Sequence, residues 1–206
     1  MIDLAQAYGP FTVSWIFLLS CLAIPEYSVA YAILQAMFMI LYVYLFHILY
    51  HKIGSIYPLY YINSHVSLHH DHFMELPRWL NLLIDVITNI GLFVILIGVQ
   101  YVAGLNLLSN TLIMGVAFTY NLVHIVKYSI IGNEQHTEHH VKSYCNYWPE
   151  MLDTLFGTRC SPDAPYQSLT GEIPYAVLGC GLAFGLKQLI TPPPNPLLDA
   201  SPLQGV

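Results

Sequence analysis

The chain has 206 residues, of which 9% are charged and 56% hydrophobic, with 6 Lys+Arg, 12 Asp+Glu and 10 His. Soluble domains carry roughly 25% charged residues, so this chain is too poor in charge to cover itself with a water-soluble surface. The formal charge of −6, with its few basic residues scattered, excludes a nucleic-acid phosphate binder.

The N-terminal stretch MIDLAQAYGPF carries Asp3 and no Lys or Arg, so it reads as mature sequence rather than as a secretory signal. Residues 4–24 predict a first span, with Pro10 near its start. No charged residue lies between Glu26 and Lys52, and the run 29–50 is long enough, at about 1.5 Å per residue, to cross a roughly 30 Å hydrocarbon core. Between Arg78 and Lys127 the single charge is Asp85, and two helices near 81–103 and 107–129, turning at Gly104-Leu105-Asn106, predict a transmembrane hairpin. Asp85 reads either as an intramembrane acid, which is a functional hypothesis by default, or, only a few residues past Arg78, as a residue at the membrane interface, the reading favoured by that spacing. The apolar segment 173–190, with three glycines and Lys187, fits a fifth helix, an interfacial helix or a cover on the cap. The tail 191–206 is proline-rich and is expected to be disordered. The expected fold is thus an all-α integral membrane domain over 1–190, with about four transmembrane helices and a cytosolic, histidine-rich helical cap.

Cys21, Cys145, Cys160 and Cys180 form no CxxC pair and no regular framework, so free thiols are expected. Lys52, Arg78, Lys127, Lys142 and Arg159 fall in or beside 51–80 and 127–172, whereas the loops at 24–27 and 104–106 have none. By the positive-inside rule the former segments face the cytoplasm.

Nine histidines form four groups: His47 and His51; His65, His69 and His70; His124; and His136, His139 and His140, with His72 beside the second. On a helix, positions three or four apart share a face, so each multiple group is a metal clamp, and neutral imidazole is the commonest side-chain ligand for iron, copper and zinc. The first clamp ends one span, the second follows it, and two crossings return the chain to the same side for His124 and the third clamp. All four groups can therefore meet at one membrane face. Glu138 and Asp153 are either partners that orient imidazole N–H groups or solvated surface acids, and Asn146 is a candidate to complete a shell through a water.

The segments HILYH, HVSLHH and HTEHHVKSYCNYWPEMLDTLFGT resemble the three histidine boxes of the fatty acid hydroxylase and sterol desaturase superfamily, over roughly 28–160. Asn146, Tyr147, Asp153 and Gly157 match the family's pattern just beyond the third box. The resemblance implies a membrane-embedded di-iron oxidase with two iron ions, which zinc can replace in purified protein. It implies His47, His51, His65, His69, His70, His136, His139 and His140 as box ligands, and His124 as the additional histidine after the fourth span. It further implies a lipid substrate and a separate electron donor, a cytochrome b-type protein or a ferredoxin. The second box has three residues between its first histidine and the pair where two are commoner, Trp148 stands where a small residue is usual, and His72 has no counterpart. The substrate is thereby left open among fatty acyl, sphingolipid, sterol and carotenoid, and the membrane is the endoplasmic reticulum in a eukaryote or the inner membrane in a bacterium. Two alternatives stay open beside this expectation: a non-catalytic membrane metal-binding or transport protein, and a bis-histidine heme cytochrome. HExxH, repeated ExxH and PCxxC are absent, which removes zinc proteases, carboxylate-bridged di-iron bundles and nucleobase deaminases.

Overall fold

The computed structural model describes residues 3–71 and 73–191; His72 and the proline-rich segment 192–206 lie outside it. Among the described residues the chain is all-helical: α1 Leu4–Ala23, α2 Val29–Gly54, α3 Arg78–Val102, α4 Asn110–Asn121, α5 Glu134–Val141, α6 Glu150–Phe156 and α7 Ile173–Ile190. Short 3₁₀ turns at Leu59–Ile62 and Leu169–Glu172 and two π-helical segments, His65–His70 and Leu122–Ile131, connect them.

Four helices are long and apolar enough to cross a membrane: α1, α2, α3 and the stretch Leu169–Ile190 that contains α7. Their outward surfaces carry Val13, Phe17, Leu34, Ile87, Val94 and Phe184, all more than half exposed. On α3 the pattern is inverted relative to a soluble helix, since Asp85, Asn89 and Gln100 are among its buried residues while Ile87, Val94 and Ile95 face outward. These features indicate a membrane protein.

The number of long apolar helices agrees with the expectation, but their identity differs. The expected span 107–129 is divided into α4, 12 residues, and a 10-residue π-helical continuation, while the ambiguous segment 173–190 forms α7. The α4 unit nevertheless runs between the same two ends of the bundle. At one end the Ser109 amide donates to Gln35 Oε1 of α2, and at the other Lys127 Nζ donates to Glu172, just before α7. Helix α7 packs most extensively against α4. Gly179 permits this approach, because a Cβ there would stand 2.6 Å from the Thr119 amide nitrogen.

Local signals set the helix starts. Asp3, Ser28, Ser109 and Asn133 each accept a backbone N–H from the first turn of α1, α2, α4 and α5 respectively. Gln100 Oε1 accepts the amides of Leu107 and Leu108 and so shapes the α3–α4 turn. At the other end of the bundle, the chain leaves the second π segment at Gly132, whose φ of 102° suits glycine, and enters α5. The cap built from α5, α6 and the intervening loop therefore stands over the C-terminal end of α2 and the π segments.

Candidate metal centre

All nine histidines singled out in the sequence converge at this end of the bundle. Three overlapping groups, His47/His51/His65/His70/His139, His65/His69/His124 and His69/His136/His140, each place their ligand atoms within 4.8 Å of one another. His47, His65, His69, His70, His124, His136 and His139 are buried, and His51 and His140 are partly so. These clusters can hold a metal ion.

Four elements deliver the rings. The last turns of α2 supply His47 and His51 one helical turn apart. HVSLHH winds as a π-helix, in which the Asp71 amide reaches back to the Val66 carbonyl, five residues earlier. That wider turn brings His65 over both His69 and His70, with ring centroids 5.3 and 4.9 Å apart, whereas a regular α-helix would carry His70 off the shared face. The second π segment carries His124 inward, and Ser129 Oγ donates to the His124 carbonyl. Helix α5 sets His136, His139 and His140 at i, i+3 and i+4; its Asn133 cap accepts the His136 amide at 3.0 Å.

The separations fit shared ions. Nitrogens bound to one ion at roughly 2.0–2.1 Å and at right angles stand about 3 Å apart. The Nε2–Nε2 separations are 3.0 Å for His47–His65, 3.2 Å for His51–His65, 3.1 Å for His69–His124 and 3.0 Å for His136–His140. Moreover, His139 Nε2 and both ring nitrogens of His70 are buried without a hydrogen-bond partner. An unpartnered buried nitrogen is costly unless something else binds it.

The outer nitrogens are fixed. His47 Nδ1–H donates to the Tyr147 carbonyl and His139 Nδ1–H to the Cys145 carbonyl, each at 2.5 Å, while His69 Nδ1–H donates to Asp85 Oδ2 at 2.7 Å. Each bond selects the tautomer whose Nε2 carries a lone pair. In the first π segment and the cap, burial first and neighbouring imidazoles second push His65, His70 and His136 far below the ordinary histidine range, and His139 down to about 2. The rings are therefore neutral near pH 7, the form that binds metal.

The three candidate supporting residues act at different distances. Asp153 is buried and shapes the loop behind the rings: Oδ1 accepts the Tyr147 amide and Thr158 Oγ1–H, and Oδ2 accepts the Trp148 amide. It thereby aims the Tyr147 carbonyl at His47, and burial pushes its carboxyl up to about 6. Asn146 donates to the Gln135 carbonyl and accepts the Cys160 amide, so it ties the loop to α5. Glu138 lies on the outer side of α5, where it accepts from Lys142 Nζ and Ser161 Oγ–H, and it acts on the cap surface instead of on an imidazole.

One expectation is corrected here. Cys145 and Cys160 are disulfide-bonded, leaving Cys21 and Cys180 free. Their spacing of 15 residues signals nothing by itself; the fold of the loop brings the Cα atoms to 5.0 Å. Asp85 is 6% exposed, because its face of α3 packs against the first π segment, where Ser64 also meets Thr88. Sequence reasoning missed Glu172 as well. It is fully buried and accepts from Lys127, Tyr128 and Trp148 Nε1, fastening the end of the second π segment to the cap.

Two cavities approach the cluster. One, of about 960 Å³, is bordered by His51, Lys52, Tyr60, Asp71, Lys142 and Tyr147. The other, of about 940 Å³, is an apolar groove between α1 and α2 closed off by α6, with Leu34, Phe38, Leu41, Tyr8, Met151 and Phe156 in its walls. The Phe156 ring stacks on Tyr44, Tyr44 meets Tyr147 edge-on, and Tyr147 meets His47.

No family model, curated protein or solved structure matches the chain.

Proposed function

We propose that this chain is a membrane-bound non-heme di-iron oxidoreductase that uses dioxygen to hydroxylate or desaturate a lipid. The observation that carries the reading is the convergence of nine imidazoles, with four Nε2 pairs 3.0–3.2 Å apart and the Nδ1–H groups of His47, His69 and His139 turned to outer acceptors. His47, His51, His65, His70 and His139 would hold one iron, and His69, His124, His136 and His140 the other. Bound there, two irons supply the oxidant, made from dioxygen and two electrons, that breaking an unactivated C–H bond requires and that side chains alone cannot make.

The protein's own groups bind, orient and exclude. The Tyr147 and Cys145 carbonyls and Asp85 hold the ring orientations, while burial keeps water from the inner nitrogens. The apolar groove, walled by α1 and α2, suits a hydrocarbon tail, and the cavity beside Lys52 and Lys142 suits a polar head. Electrons come from a separate cytochrome b-type or ferredoxin donor. The heme alternative is disfavoured by the geometry, since two imidazoles on opposite sides of one iron stand about 4 Å apart with a macrocycle between them. Here the Nε2 atoms stand 3.0–3.2 Å apart, and rings approach to 4.4 Å between centroids.

Sidedness has two opposed indicators. The Lys and Arg count places the histidine face in the cytoplasm, of an endoplasmic reticulum or bacterial inner membrane. The Cys145–Cys160 bridge on that face favours an oxidising compartment. Maleimide labelling in sealed vesicles, before and after reduction by a membrane-impermeant phosphine, separates the two.

The test of function is lipid profiling of cells expressing the wild type or His139→Ala, with metal analysis of the aerobically purified proteins. Two irons per chain and an oxidised lipid lost in the variant support the enzyme. Metal uptake with no change in lipids supports the non-catalytic metal-binding alternative.

A further inference from the structure

Asp85 lies within an apolar helix and is 6% exposed, and among the described residues its one ion-pair partner is His69. A buried carboxylate with a single imidazole partner is poorly compensated, and a cation held by that ring offsets the cost. His69 occupies a joint in the centre. It belongs to two of the three ligand groups, its Nε2 is 3.1 Å from that of His124, and its ring centroid is 4.4 Å from that of His140. We infer that Asp85 is a positioning residue for metal binding. It holds His69 in the Nδ1–H tautomer, with the Nε2 lone pair facing the neighbouring imidazoles, and it places a negative charge beside the cation bound there.

The inference deepens the metal-centre reading and rests on it. It assigns the half of the centre around His69 an anionic support that the half around His47 and His139, backed by carbonyls, does not have.

The test uses the full chain in detergent, stripped of metal and titrated with Co(II), followed by calorimetry and visible absorption. Asp85→Asn keeps an acceptor but removes the charge, Asp85→Leu removes both, and Asp85→Glu restores a carboxylate. The expected result is a 10–100-fold loss of affinity for part of the bound cobalt in Asp85→Leu, a smaller loss in Asp85→Asn and substantial recovery in Asp85→Glu. Asp85→Asn, which keeps an acceptor for His69 Nδ1–H, should melt close to the wild type when metal-free, so that its loss of affinity is read on a folded protein. Wild-type affinity and spectrum in Asp85→Leu overturn the inference. A loss of affinity that appears only where the metal-free variant is already unfolded also overturns it. A wild type that binds no cobalt instead overturns the metal-centre reading, and the inference with it.

Discussion

His47 and His139 are backed by neutral carbonyls of the cap loop, whereas His69 is backed by a carboxylate carried on a helix long and apolar enough to cross a membrane. The difference shows two ways of holding an imidazole. In the cap, orientation comes from a folded loop whose shape depends on Asp153, on Asn146 and on the Cys145–Cys160 bridge. In the bundle it comes from one side chain on a rigid helix. Disturbing the loop should therefore disturb stability and ring orientation together, while disturbing Asp85 should change metal affinity alone.

The largest effect is expected at the loop. Asp153→Ala leaves two buried amides and a hydroxyl without their acceptor and should cost about 3–5 kcal/mol, read as a large drop in the melting temperature of detergent-purified protein. A near-neutral Asp153→Ala would break the distinction between a loop-held and a helix-held half. Next, opening the disulfide with Cys145→Ser and Cys160→Ser together should cost about 3 kcal/mol, as expected for a closed loop of 15 residues. The same measurement on reduced wild type should agree with the double variant.

Acid offers a third test. The histidines of the first π segment and the cap titrate lower in the folded protein than in the unfolded chain, whose rings protonate near pH 6.5. Below that pH the unfolded chain binds more protons, so metal-free protein should lose stability as pH falls from about 6.5 toward 2, the value of His139. Asp153 works in the other direction. Its carboxyl is raised from 3.8 to about 6, so its contribution is fully present below 3.8 and declines as pH rises through 6. Several histidines outweigh one aspartate, and a melting temperature that rises from pH 6.5 to pH 4.5 would contradict this ordering. The smallest effect belongs to the far end of the bundle, where Glu26→Gln breaks a partly exposed pair with Lys187 and should change stability by less than about 1 kcal/mol.

The helical class, the apolar runs and the nine histidines were legible because each rests on local pattern: charge-free runs of membrane length, and imidazoles at helical spacing. The π winding of HVSLHH was not, since α and π turns have no distinct residue signature here, and the three-residue gap between His65 and the His69-His70 pair is its single trace. The pairing of Asp85 with His69 was not legible, because it depends on which face of α3 meets the first π segment. The disulfide and the two carbonyl acceptors were invisible for a related reason. Backbone carbonyls carry no residue identity, and Cys145 meets Cys160 across a folded loop that Asp153 braces. Helix α7 was ambiguous because Gly179 reads as a helix weakener in sequence and as a close contact with Thr119 in the fold.

X-ray absorption at the iron edge of aerobically purified protein addresses the central claim most directly. The account predicts a first shell rich in nitrogen, with the outer-shell scattering of several imidazoles per iron and no sulfur. Iron in a porphyrin, a shell dominated by sulfur, or no protein-bound metal in a folded preparation would contradict it.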